Sequence, residues 1–295
     1  MTGIALLVLA LVLSWLLPPV LVRARWLQQV PRAGVTLWQA VALAAVLAAV
    51  GAVLAIPEEV WRSYQNAGGT FGRPALFVAL GVAGAGAGII VVRLGLTTLR
   101  LGLDTRRRRA RHRELLDLLA TPDPRRVHVL AGGVPMAYCV PGQDARVVLT
   151  DAAIDLLGPG EVEAVIEHER AHLRARHDLV REAFTALHVA FPTVVRSEVA
   201  RHAVDHLLEL LADDAALARA PRAHLRGALE TLADTTDDPR IQARLQRLAE
   251  PEPSRFRRRG TAALAYLAAV AVLVIPTAVL AGPWLLQAGR ALSSF

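Results

Sequence analysis

Hydrophobic positions along this chain are unevenly spread. Four stretches carry no charge at all: IALLVLALVLSWLLPPVLV (4–22), VTLWQAVALAAVLAAVGAVLAI (35–56), ALFVALGVAGAGAGIIVV (75–92) and TAALAYLAAVAVLVIPTAVLAGPWLLQAG (261–289). A helix crossing roughly 30 Å of hydrocarbon at 1.5 Å per residue needs about 20 such residues. One run alone reads equally as a buried core helix. Four runs, several flanked by basic residues, predict four transmembrane helices. The first is read as a retained helix and not a signal peptide, since no basic residue precedes its apolar core and no small-x-small site follows.

Between the third and fourth runs the pattern changes. DTRRRRARHRELLDLLA (104–120) predicts a helix leaving the membrane, which TPDP then breaks. RRVHVL (125–130), MAYCV (136–140) and ARVVLT (145–150) are short, Val-rich and turn-bounded, as strands are. TDAAIDLL opens like a capped helix, and GPGEVEAVIEHERAHLRARH (158–177) continues as a longer one. Further helices are predicted over 181–195, stopping near Pro192, over 197–220, over 221–234 and, after a TTDDP break, over 240–250. The expected fold class is therefore α+β and mostly helical. Its domains are three transmembrane helices within 1–103, a water-exposed domain over 104–260, and a fourth transmembrane helix with a short tail over 261–295.

Charge orients this arrangement. The net charge is +7, and every basic side chain other than histidine is arginine. Arg23, Arg25 and Arg32 follow the first run, RRRRARHR (106–113) follows the third, and RFRRRG (255–260) precedes the fourth. An excess of Arg marks cytoplasmic loops, so 104–260 is expected inside the cell and both termini outside. Arginines at membrane exits fit anionic headgroups, and no direct nucleic-acid binding is expected. A lone Cys139 rules out an internal disulfide framework.

Inside the longer helix stands His168-Glu169-Arg170-Ala171-His172. Residues four apart share a helix face, so His168 and His172 can aim both imidazoles at one metal ion, with Glu169 placed as general base toward a water there. This is the mechanical content of H-E-x-x-H, and the ion it favours is Zn²⁺, one per chain. A catalytic zinc takes three protein ligands. HLLELLADDAA offers Glu209 as the third, inside an apolar helix, and Asp213 one turn later as the group that orients a ligating histidine. The alternative for Glu209 is the wet face of an amphipathic helix. His206 and His177 are weaker substitutes. His177, five residues past His172, lies off the metal face of a continuous helix and reads as an end cap with Asp178. His188 reads as a satisfied core histidine, with a place in a substrate cleft as the other reading, and His112, His128, His202 and His224 receive no role.

The run GVPMAYCVPG…ARVVLTDAAIDLLGPGEVEAVIEHERAHLRARHD…ELLADDAA resembles the membrane metallopeptidases of the BlaR/MecR type, relatives of the HtpX and CAAX-prenyl protease group. The resemblance implies a gluzincin-like zinc protease domain inserted between the third and fourth spans. It also implies zinc ligands His168, His172 and Glu209, catalytic base Glu169, and a supporting Asp213. MAYCV resembles the edge strand beside the cleft, where a substrate chain could lie extended. Those relatives continue past the fourth span into a penicillin-binding sensor domain, whereas here ALSSF follows, so β-lactam sensing is not expected. The implied substrate is a cytoplasmic repressor of the BlaI/MecI kind, cut directly or after autoproteolysis. Two rivals remain: a receptor whose proteolysis is the output of sensing, and a non-catalytic scaffold with a structural zinc site or none.

Overall fold

The computed structural model describes residues 2–66, 73–191, 198–234, 239–251 and 253–293. Pro192 and most of the TTDDP break lie outside them. The helices are α1 (Thr2–Leu11), α2 (Leu17–Val22), α3 (Pro31–Leu54), α4 (Ile56–Asn66), α5 (Arg73–Leu119), α6 (Asp151–Leu156), α7 (Pro159–Arg174), α8 (His177–Ala190), α9 (Glu198–Leu217), α10 (Arg222–Ala233), α11 (Pro239–Ala249) and α12 (Arg255–Ser293). The strands are β1 (Ala120–Asp123), β2 (Val127–Leu130), β3 (Ala137–Val140) and β4 (Arg146–Thr150). Contacts divide the chain into two compact units, one of 1–97, 186–201 and 258–295, the other of 98–185 and 202–257.

Four helical stretches, Thr2–Val22, Pro31–Ser63, Pro74–Leu119 and Arg255–Val279, are long and apolar enough to cross a membrane; the third ends and the fourth begins in the second unit. They suggest a membrane protein. Their outward faces carry Leu7, Trp15, Phe77, Ile89 and Leu267 exposed, an arrangement suited to lipid and costly in water. Small residues recur in the buried stripes, beside larger ones such as Leu13, Leu37 and Trp38. Gly3, Leu6 and Ala10 of α1 lie against α3 near Ala48, and Ala40, Ala44, Ala265 and Ala269 join a second cluster. Small side chains let apolar helices approach closely where burial from water contributes nothing. Between α1 and α2 the turn Val12–Leu16 is π-helical, just before Pro18 and Pro19. Proline has no N–H to donate back to the preceding turn. The PEEVWRSYQN segment after the second apolar run forms the amphipathic helix α4, with Glu58 and Glu59 in its first turn.

The second unit wraps helices around one sheet in the order β1-β2-β4-β3. β4 is central and buried on both faces, which explains its unbroken apolar run. Val147 and Leu149 face Val162, Val165 and Ile166 of α7, while Val148 faces Leu116 of α5. The far side of α7 places Ala164 against Ala216, Leu225, Leu229 and Leu248 from α9, α10 and α11. α7 is thus held on both sides. TPDP does not simply break a helix: Ala120–Asp123 pairs antiparallel with β2, Pro122 opposite His128. Proline fits there because β1 is an edge strand. β3 is the other edge, joined to β4 by a hairpin in which Gly142 has φ of +150°. L side chains rarely adopt that φ, so the turn needs glycine.

The expected single helix over 158–177 is two helices. α7 stops at Arg174, Arg176 takes a left-handed φ of 52°, and His177 opens α8.

Candidate metal centre

α7 brings His168 and His172 to one face, both buried, with their Nε2 atoms 3.2 Å apart. α9 supplies Glu209, whose Oε2 lies 3.2 Å from His168 Nε2 and whose Oε1 lies 3.6 Å from His172 Nε2. One ligand atom from each of these three residues falls within 4.8 Å of the others. Glu169 lines the same cavity of about 360 Å³, together with Ala137, Tyr138 and Cys139 of β3. Among the described residues no other group of three or more His, Cys, Asp or Glu side chains is so placed. The structure therefore brings together every residue singled out in the sequence for metal chemistry.

The donor set fits a soft-to-borderline divalent cation: two imidazole nitrogens and one carboxylate. Electrostatics agree. Burial disfavours a charged His168, yet its bonds to Asp213 and Glu209 outweigh that and raise its pKa to about 9. Burial likewise opposes ionisation of Glu209, but hydrogen bonds from His168 and His172 hold it far below the usual carboxylate range. A cluster that pulls a proton this strongly onto its own imidazole is one that attracts positive charge.

Surrounding groups fix the ligands. His168 Nδ1 lies 3.0 Å from Asp213 Oδ1, and Asp213 is only 1% exposed. Despite burial, Asp213 is lowered to about 2, chiefly by the charge of Arg244. Arg244 from α11 donates to both Asp213 oxygens, at 2.9 and 2.6 Å. With Nδ1–H donating to Asp213, His168 would turn Nε2 to the centre once a metal displaces its second proton.

His172 is fixed differently. Its Nδ1 lies 2.8 Å from His177 Nδ1. Burial, then the charge of His172, pushes His177 down to about 4, which favours a neutral ring able to accept a His172 Nδ1–H. The end-cap reading of His177 is corrected here. The left-handed Arg176 ends α7, so the next helix can return His177 onto the motif face. Two arginines were also missed by sequence reasoning. Arg244 lies far along the chain, in a helix whose pattern shows only amphipathicity. Arg181 donates to Glu209 Oε1 at 2.5 Å and pairs with Asp205 at 3.3 Å.

Other histidines stay out of the cluster. His188 does not line this cavity; its Nε2 lies 3.7 Å from Glu198 Oε1, while its buried Nδ1 has no hydrogen bond among the described residues, so it is only half satisfied. His206, on α9, contributes no ligand atom. Glu167 is buried beside the motif but is engaged elsewhere, by Arg170, Arg174 and Arg219 at 2.7, 3.3 and 3.4 Å.

Residues 103–212 match the sequence model of Peptidase family M48. The match spans a little over a third of the chain and supports a metallopeptidase. It takes in β1 to β4, the motif helix, α8 and α9 through Ala212, and ends before α10 and Arg244. No curated protein and no solved structure matched the chain.

Proposed function

We propose that the chain is an integral-membrane zinc endopeptidase of BlaR/MecR-like layout, with its site at the cytoplasmic face. The observation that carries this is the convergence of His168, His172 and Glu209 on one point, with Glu169 lining the same cavity. Bound there, zinc would supply Lewis-acid activation of a water and of the scissile carbonyl.

The chain's own groups do the rest. Glu169 takes the proton of the attacking water and passes it to the leaving amine. Asp213 and His177 hold the two imidazoles in the ligand tautomer. The free edge of β3 offers main-chain hydrogen bonds to an extended peptide beside the cavity. The Arg-rich stretches at the ends of 104–260 favour the cytoplasmic side. The substrate proposed is a cytoplasmic repressor or the chain itself, which makes proteolysis the output of a membrane signal.

The test uses the full chain and its Glu169→Gln variant in detergent. Both should hold one zinc, measured by atomic emission, and only the parent should cleave casein or itself, the variant being slower by about 10²–10⁴-fold. Zinc absent from both proteins would remove the peptidase reading.

A further inference from the structure

A second cavity, of about 470 Å³, lies beside β3, walled by α5, α8 and the C-terminal end of α7. That is large enough for ligand side chains. It shares Tyr138, Cys139, His172 and Arg181 with the catalytic cavity. A peptide laid along β3 over the metal centre would therefore reach it. We propose that this cavity is a subsite that selects an acidic stretch of the substrate peptide.

The balance of charge among the lining residues points to this, and the subsite rests on the peptidase reading above. Two carboxylates stand in the wall, Asp178 and Glu182. Arg109 engages both, at 3.1 and 2.6 Å. Arg181 is turned to Asp205 and Glu209. Arg108, also in the wall, has no acidic partner among the described residues. Both wall carboxylates are thus ion-paired, although Asp178 Oδ1 accepts no hydrogen bond among the described residues, while the exposed Arg108 is left over beside apolar lining that includes Leu101, Val140 and Leu173. A ligand carboxylate completes this set. A ligand ammonium would meet Arg108, with both wall carboxylates already ion-paired to Arg109. Arg108 is itself exposed, so the preference should fall as salt is added. Arg106, two residues earlier on α5, is exposed and does not line the cavity. It separates selection in the cavity from the general attraction of a basic protein.

The experiment uses the full-length Glu169→Gln protein in detergent, which binds without cutting. The probes are a fluorescein-labelled alternating Glu-Leu decapeptide and its Lys-Leu counterpart, followed by fluorescence anisotropy. The acidic peptide should bind about tenfold tighter or better. Adding Arg108→Glu should remove that preference or reverse it, whereas Arg106→Glu should leave Kd within about twofold. Zinc content should be unchanged in both. Equal affinity for the two peptides, binding of neither, or equal losses in the two Arg variants would each overturn the proposal. The peptidase reading is tested apart from this, by zinc content and casein cleavage of the parent. Discrimination between the peptides without cleavage would leave the subsite standing and remove the protease.

Discussion

At the residue scale the site depends on spacing and on one local break. The i, i+4 pair His168 and His172 was legible because helix geometry fixes which residues share a face. Glu209 and Asp213 were legible because two acids in a Leu-rich helix need partners. His177 was not, because the helical period misplaces it once the helix ends at Arg174. Nothing in the run LRARHD announces a left-handed Arg176, a conformation that usually falls to glycine. Arg244 was illegible for another reason: its role comes from tertiary packing of α11 across α9, which no local pattern encodes. Both histidine-orienting groups can be tested. His177→Phe keeps a ring but removes the acceptor for His172 Nδ1–H, and Asp213→Asn removes the anion facing His168. Each is expected to weaken zinc binding by about 10–100-fold, measured by competition with a chromophoric chelator. An unchanged affinity for His177→Phe would mean that His172 holds its tautomer without help.

At the element scale, β4 was plain in the sequence because a strand covered on both faces is apolar throughout. β1 was hidden by its own composition, since Thr-Pro-Asp suggests a turn until an edge position accommodates the proline. The junction of β4 and α6 positions the cleft. Thr150 Oγ1 accepts from Ala153 N at 3.3 Å as helix cap, accepts from Met136 N at 2.9 Å, and donates to Val134 O at 2.9 Å. One buried hydroxyl therefore ties the start of α6 to the approach of the edge strand. Thr150→Val keeps the shape and loses all three bonds. The expected cost is about 1–3 kcal/mol, seen as a lower Tm in detergent. A larger proportional loss in peptide binding than in zinc content should accompany it, because β3 and not α7 is released.

At the scale of the whole molecule, the four apolar helices were legible from length and composition alone, and the structure builds helices over all of them. The proposed sidedness rests on arginine placement, and it is open to direct test. The proposed arrangement puts α4 outside and the Arg-rich part of α5 inside. Cysteine substitutions at Ser63, exposed on α4, and at Arg107, exposed on α5, report on these two places. The native thiol interferes little: burial, and then the charge of Glu169, pushes Cys139 well above the ordinary thiol range, so little thiolate is present to react. In intact cells a membrane-impermeant maleimide should label Ser63→Cys and leave Arg107→Cys untouched until the membrane is opened. The inverse pattern would move the metal centre to the external face. A cytoplasmic repressor could then no longer be its substrate, although the metal centre and its base would remain as described.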